Sequence, residues 1–139
     1  MIQIVAGEKG KGKTKLLIAK ANEDVQQING ALVYIDKSNR HMYELSNKIR
    51  LINSKDYFIK NADEFIGFIC GIISGNHDLE KIYVDSFLKL AYISEDNIES
   101  VLTKLLDISN HFKVDIVVCI SSSKKSIPEN FVDSVIIAL

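Results

Sequence analysis

The sequence has few of the residues that mark several other classes of protein. It contains two cysteines, one proline and no tryptophan in 139 residues. Cys70 lies in an apolar segment and Cys119 in an apparent strand, neither with metal or redox spacing, so we expect both to be buried thiols. With 17 basic and 18 acidic side chains, no overall field draws the chain to nucleic acid or to an anionic membrane, which leaves room only for a local basic patch.

Long apolar runs are also missing. No stretch approaches the roughly 18 apolar residues of a membrane span, and the start of the chain lacks the basic and apolar regions of a signal peptide. We therefore expect no membrane contact and a cytoplasmic location. Hydrophobic residues make up 47% of the chain and charged residues 25%, an ordinary globular balance. The length predicts one domain over residues 1–139.

Short apolar segments alternate along the chain with segments that carry apolar residues at helical spacing. Because parallel strands need a crossover that a helix usually provides, this alternation predicts an α/β fold, a three-layer α/β/α sandwich with a mainly parallel sheet. The predicted strands cover residues 2–6, 31–35, 81–85, 114–120 and 134–139, with a short extended piece at 57–59. The predicted helices cover residues 13–29, 39–49, the segment between Asn61 and Gly75, and the segment from Ser94 to about 108.

One motif, at the first strand-to-helix junction, is highly specific. Residues 7–14, Gly-Glu-Lys-Gly-Lys-Gly-Lys-Thr, match the phosphate-loop pattern Gly-x-x-x-x-Gly-Lys-Ser/Thr at every fixed position. Glycines let backbone N–H groups approach phosphate oxygens, and the start of the following helix favours negative charge. The alternative is a glycine- and lysine-rich surface turn. The predicted nucleotide-binding residues of this loop are Gly7, Lys9, Gly10, Lys11, Gly12, Lys13 and Thr14.

The polar side chains at this junction predict a magnesium-assisted phosphate site. Lys13 can place a cation against the β- and γ-phosphates, and the Thr14 hydroxyl can coordinate Mg²⁺. A second anchor is Asp85, which ends the apolar strand 81–85 and can hold the magnesium shell opposite Thr14. An apolar strand that ends in aspartate is common, so a plain strand-end cap is the alternative. The predicted metal ligands are Thr14 and Asp85.

From the third main strand onward, the chain resembles the RecA-like ATPases, the group that includes the RecA, KaiC and replicative-helicase cores. Residues 82–87, Ile-Tyr-Val-Asp-Ser-Phe, are similar to that group's strand ending in Asp-Ser. A helix follows, and then the strand 115–120, which ends in three serines. The tail, residues 127–136, resembles the group's short strand beyond this polar turn. The resemblance implies ATP binding, possible hydrolysis and a tendency to assemble side by side.

One departure from the group concerns the carboxylate that orients the attacking water. The group usually has glutamate at the end of the second strand, whereas this chain has Asp36, followed by Lys37. Asp36 is the candidate base, and a turn residue after the strand is an equally good interpretation. Ser121 or Ser122 can contact the γ-phosphate, with a plain polar turn as the alternative. The predicted catalytic residues are Lys13, Asp36 and Asp85, and Ser121 joins the nucleotide-binding set.

Two functions follow from these residues. One is a minimal Mg²⁺-dependent ATPase, and the other is a non-catalytic nucleotide-binding module whose bound ATP shapes a surface for a partner protein. A GTPase is disfavoured because no Asn-Lys-x-Asp segment is present, and a kinase would need more phosphate-clamping arginines than Arg40 and Arg50. Besides the nucleotide, the expected partners are further copies of this chain or a partner protein, with no positive sign of nucleic acid.

The remaining functional residue types give no site. The three histidines lack ligand spacing and are expected to be structural or surface residues. The aromatic residues of the apolar segments are expected in the core rather than in a base-stacking surface. These aromatic residues are Tyr34, Tyr57, Phe58, Phe65, Phe68 and Tyr83.

Overall fold

The computed structural model describes residues 1–139 and contains one six-stranded sheet. Its strands, in chain order, are β1 (Ile2–Ala6), β2 (Ala31–Asp36), β3 (Ile49–Asn53), β4 (Leu79–Val84), β5 (Asp115–Ile120) and β6 (Val135–Ala138). Across the sheet they lie in the order β3-β2-β4-β5-β1-β6, and every neighbouring pair is parallel. The predicted α/β fold with a parallel sheet is therefore confirmed.

Four helices cover both faces of this sheet. They are α1 (Lys13–Val25), α2 (Ala62–Ser74), the single turn α3 (Phe87–Leu90) and α4 (Ile98–Phe112). Successive strand residues point to opposite faces, so Leu32 and Tyr34 pack in the core under α1, whereas Val33 and Ile35 pack in the core under α2, α3 and α4. This gives the three layers that the sequence predicts. No helix is long and apolar enough to cross a membrane.

The segment between β2 and β3 differs from the prediction. Residues 39–48 form turns rather than a helix. The Asn22 side chain on α1 fixes this segment, because it donates to the Glu44 carbonyl at 2.9 Å and accepts from the Ser46 N–H at 2.8 Å. The strand β3 that follows was not predicted. It pairs with β2, with Ile49 opposite Leu32.

Several element boundaries also differ from the prediction. Residues 57–59 are not extended: a 3₁₀ helix at Ser54–Tyr57 is followed by Phe58 with a φ of 60°. Helix α1 ends at Val25, four residues early, and the helix predicted from Ser94 starts with a 3₁₀ turn before Ile98. The predicted cap of α2 is confirmed, since the Asn61 side chain accepts from the Glu64 N–H at 2.8 Å. These differences lie outside the strands that position the site.

Gly30 marks a close approach at the entry to β2. A Cβ at this position would lie 1.9 Å from the Asp78 carbonyl oxygen, which also accepts a hydrogen bond from the Ala31 N–H. We expect Gly30→Ala to lower the free energy of unfolding by about 2–3 kcal/mol, because the β2–β4 junction must shift. Gly67→Ala on the exposed face of α2, where no atom lies within 4 Å, is the matched control and should raise it by up to about 1 kcal/mol. Urea unfolding followed by circular dichroism measures both, and equal effects would contradict the expectation.

Candidate functional site

The parallel sheet brings the predicted site residues to one edge. Because all six strands run in the same direction, their carboxyl ends lie together, which is where α/β sheets bind ligands. Gly7 follows β1, Asp85 follows β4 and Ser121 follows β5, while Asp36 is the last residue of β2. Strand β5 lies between β1 and β4, so Gly7 and Asp85 are two strands apart.

The phosphate loop has the backbone conformation that its glycines allow. Gly10 and Gly12 have φ values of 88° and 82°, a region that residues with a Cβ rarely adopt. Gly7 is buried, and a Cβ there would lie 3.0 Å from the Leu139 Cβ. Lys9 and Lys11 are exposed beside this backbone. Two of these glycines are thus required by conformation and the third by a close contact.

The loop leads directly into the first turn of α1. Gly12 is the N-cap, so no side chain caps the first N–H groups, and no acidic residue occupies the first turn. Unpaired N–H donors at a helix start favour an anion. Lys13 is 6% exposed, and its Nζ donates to the Glu8 carbonyl at 2.8 Å. A single buried ammonium group and a free helix start therefore face the same loop.

Asp85 is the most heavily hydrogen-bonded carboxylate of this edge, and it is 3% exposed. Its Oδ1 accepts from the Thr14 hydroxyl at 3.3 Å and from the Ser86 N–H at 2.8 Å. Its Oδ2 accepts from the Tyr34 hydroxyl at 3.1 Å. Thr14 and Asp85 are thus in direct contact. A hydroxyl and a carboxylate are the hard oxygen donors that Mg²⁺ prefers, so this pair fits the predicted metal site.

Tyr34 was missed as a site residue because strand periodicity assigns it only to a buried face. It is fully buried, and its ring stacks on Tyr83 with a centroid distance of 6.1 Å. Burial and the nearby negative charge of Asp85 raise the pKa of Tyr34 far above its ordinary value, so its hydroxyl remains a donor. The signal in the sequence is a polar tyrosine in the middle of an otherwise aliphatic strand.

A second carboxylate, Asp24, holds the Tyr83 side of the Tyr34–Tyr83 stack. The Tyr83 hydroxyl donates to Asp24, which also pairs with Lys81 at 2.9 Å and with Lys20 at 3.5 Å. Burial disfavours the ionised form of Asp24, but the hydrogen bonds from Tyr83 and Lys81 outweigh it and lower the pKa of this carboxyl. The Tyr34–Tyr83 stack is therefore fixed at both ends by carboxylates.

Tyr34→Phe tests whether this hydroxyl positions Asp85. The substitution keeps the ring stack but removes one of three donors to a buried carboxylate, so we expect a loss of about 1–2 kcal/mol in unfolding free energy. Under the predicted role of Asp85 as a metal ligand, the substitution should also raise several-fold the Mg²⁺ concentration needed for nucleotide binding. The matched control is Tyr83→Phe, which removes the neighbouring hydroxyl but touches Asp24 instead of Asp85. Titration of Mg²⁺ at fixed nucleotide separates the two, and an equal Mg²⁺ requirement in both variants would contradict the positioning role.

Asp36 lies beside Asp85 on the adjacent strand. Ile35 pairs with Val84, and the Asp85 N–H donates to the Ile35 carbonyl at 3.0 Å. Asp36 is 3% exposed, and its Oδ1 accepts from the Lys37 N–H at 2.7 Å. Burial, helped by the charge of Asp85 and opposed by the Lys37 hydrogen bond, raises the pKa of Asp36. The structure thus places a carboxyl of raised proton affinity next to the candidate metal ligand.

Of the three serines after β5, Ser121 and Ser122 differ in exposure and hydrogen bonding. Ser121 is exposed at the sheet edge. Ser122 is 4% exposed and donates to the Glu95 carboxylate, so it is held away from the site. No group of three or more His, Cys, Asp or Glu side chains gathers into a metal site. A magnesium ion would therefore depend on Thr14, Asp85 and the oxygens of a ligand.

The expectation for the aromatic residues is wrong in part. Tyr34, Tyr83 and Phe65 are fully buried as predicted, but Tyr57 is 53% exposed and Phe58 84% exposed. The reason is the 3₁₀ helix that replaces the predicted extended piece and turns both rings toward solvent. The thiols also differ, since Cys119 is buried and Cys70 only half-buried.

The sheet order and the loop geometry define a class: the chain has the RecA-like P-loop fold. Solved structures with this fold include the following two. A KaiC-like protein from the hyperthermophilic archaeon Pyrococcus horikoshii OT3 has a TM-score of 0.61 and 19% identity, over 85% of this chain and 61% of that one. The flagellar accessory protein FlaH from Methanocaldococcus jannaschii has a TM-score of 0.59 and 19% identity, over 93% of this chain and 63% of that one.

These two likenesses are of fold alone, because identity is low. The chain spans about three fifths of the length of each matched protein. No protein-family model matches the chain, and no curated protein does. Activity must therefore be argued from this chain's own residues.

Proposed function

We propose that this chain binds ATP with Mg²⁺ at residues 7–14 and hydrolyses it. One observation carries the proposal: a glycine loop in left-handed conformation leads into an uncapped helix start, with the buried Lys13 beside it and the Thr14–Asp85 pair behind it. Each of these elements favours a triphosphate with its metal. Together they favour a phosphate-binding loop over a plain surface turn.

Each residue has a distinct role in this proposal. Lys13 exchanges the Glu8 carbonyl for the β- and γ-phosphates, where its charge stabilises the transferring group. Thr14 and Asp85 would hold Mg²⁺, which would supply charge neutralisation on the phosphate oxygens. Asp36 accepts the proton of the attacking water, and Ser121 contacts the γ-phosphate from the end of β5.

The alternative is nucleotide binding without turnover. It is favoured by Asp36 itself, because aspartate is one methylene shorter than the glutamate that usually stands at this strand end. Neither Arg40 nor Arg50 lies at the phosphate loop in sequence, and both are exposed. If ATP is bound without turnover, the bound nucleotide would order the sheet edge for a partner protein or for further copies of this chain.

Two measurements on the same purified protein test the proposal. Calorimetric titration with a non-hydrolysable ATP analogue, with and without Mg²⁺, measures binding, and light scattering during the titration reports self-association. Phosphate release at saturating ATP measures turnover. Magnesium-dependent binding with turnover supports the ATPase, and binding without turnover selects the non-catalytic module. No binding at millimolar nucleotide would overturn both.

A further inference from the structure

A second cleft of about 930 Å³ lies at the same edge of the sheet. Its walls are residue 37 after β2, residues 54–55 and 58–60 after β3, and residues 88–90 and 92–94 after β4. It includes no residue of the phosphate loop, and β5 lies between β4, the nearest of its strands, and β1. The cleft is therefore distinct from the proposed ATP site, although Lys37 directly follows Asp36.

The cleft concentrates positive charge in a chain with a net charge of −1. Its lining contains Lys37, Lys55, Lys60 and Lys89 but no aspartate or glutamate. None of these four ammonium groups forms an ion pair. Lys37 and Lys89 line the same cleft, and the nearby Lys37 lowers the pKa of the exposed Lys89. Unpaired neighbouring ammonium groups favour an anion with more than one negative charge.

Two aromatic rings extend into solvent from the same lining. Phe58 is 84% exposed and Tyr92 61% exposed. Both have a left-handed backbone, with φ values of 60° and 55°, because each follows the end of a short helix. This backbone directs both rings outward, and neither ring is buried in the core. Exposed aromatic faces beside lysines are the combination that binds planar bases together with phosphates.

The surroundings of the cleft favour a small ligand over a macromolecule. Lysine is depleted at protein–protein interfaces, so four in one lining argue against a protein partner. A long nucleic acid needs a continuous basic stripe. Here the basic surface is bounded by acidic residues, since Glu64 bonds the Lys60 N–H on one side and Glu95 and Asp96 follow Ser94 on the other. The volume also falls within the roughly 300–1,000 Å³ of small-molecule sites.

We propose that this cleft binds a second small ligand composed of phosphate groups and one or two planar bases, a nucleotide or dinucleotide, independently of the phosphate loop. The bases stack on Phe58 and Tyr92, and the phosphates contact the four lysines of the lining. The site does not depend on ATP binding at residues 7–14.

The test is a titration of the linear dinucleotide pApA into the full chain carrying Lys13→Ala, which disables the phosphate loop. If that variant does not fold, wild-type protein saturated with a non-hydrolysable ATP analogue replaces it. We expect saturable binding at one site. Phe58→Asn and Tyr92→Asn should each weaken it about tenfold, because each removes a stacking ring. Asparagine suits the left-handed backbone, so these variants keep the fold. Lys55→Gln should also weaken it about tenfold.

Matched controls lie outside the cleft. Tyr43→Asn removes a 92% exposed ring and Lys48→Gln removes an exposed charge, and both should leave pApA affinity unchanged. Three results would overturn the proposal: no binding at millimolar pApA, binding that only the lysine variant weakens, or binding that requires a 12-nucleotide strand. The second would indicate unspecific anion attraction, and the third a nucleic-acid surface. A failed ATP titration of the wild-type chain would leave these results intact.

Discussion

Lys13→Ala is expected to weaken ATP binding about a hundredfold and to reduce turnover by a factor of about 10²–10³. Lys13 has the only buried charged side chain among residues 7–14. Its ammonium group donates to the Glu8 carbonyl, an acceptor that phosphate oxygens can replace. In the proposed complex this buried ammonium group contacts the phosphates, so its removal deletes a charge-assisted hydrogen bond. Calorimetry with the ATP analogue and a phosphate-release assay measure the two effects.

Lys15→Ala is the matched control for this experiment. Lys15 lies on the same helix two residues later but is exposed, so both measurements should stay within about twofold of wild type. Circular dichroism would verify that the helix α1 is intact in both variants. Equal affinities for Lys13→Ala and wild type would contradict a phosphate-binding role for the loop, whatever the fold.

The elements that local signals specify were predictable from the sequence. Strand β1, the glycine loop and helix α1 follow one another without interruption, so the motif and its context confirm each other. The strand before Asp85 ends in three consecutive buried apolar residues, Ile82, Tyr83 and Val84, which occupy both faces of the sheet. The Asn61 cap of α2 is likewise a local interaction. In each case the interaction that fixes the structure lies within a few residues.

The features that the sequence did not predict depend on contacts between distant segments of the chain. Strand β3 is a short edge strand, and its pairing with β2 cannot be inferred from its own five residues. The turns before it are held by Asn22, more than 20 residues earlier. Tyr34 meets Asp85 across 51 residues. The basic cleft combines three loops, whose lysines look like ordinary surface residues in the sequence.

The sheet edge therefore carries two sets of charges with Asp36 between them. Toward β1 lie the phosphate loop and the Thr14–Asp85 pair, and toward β3 lies the basic cleft, which starts at Lys37. The Lys37 N–H bonds the Asp36 carboxylate, so a change in the position of Lys37 alters the environment of the candidate base. Substitution of Asp36 best distinguishes ATP hydrolysis from ATP binding without turnover.

Asp36→Asn is expected to lower the rate of ATP hydrolysis by about 10²–10³-fold while leaving ATP affinity within a few-fold of wild type. The amide cannot accept a proton from water but keeps the shape of the side chain and an oxygen for the Lys37 N–H. Turnover by the wild type should decline on acidification as Asp36 becomes protonated. Because the pKa of Asp36 is raised in the folded state, this decline should begin at a higher pH than it would for an ordinary aspartate. Single-turnover phosphate release between pH 5 and 8 measures this decline in the hydrolysis rate.

Stability provides the control, because catalysis and folding respond in opposite directions. A carboxyl whose folded-state pKa is raised contributes most to stability when protonated, and that contribution is lost as pH rises through the folded-state pKa. At neutral pH, Asp36→Asn should therefore unfold at higher urea than wild type, and the difference should shrink as the solution is acidified. A variant that is more stable and still hydrolyses ATP at the wild-type rate would show that Asp36 is not the base. If wild type itself has no turnover, the same stability result with unchanged ATP affinity would assign the site to binding alone.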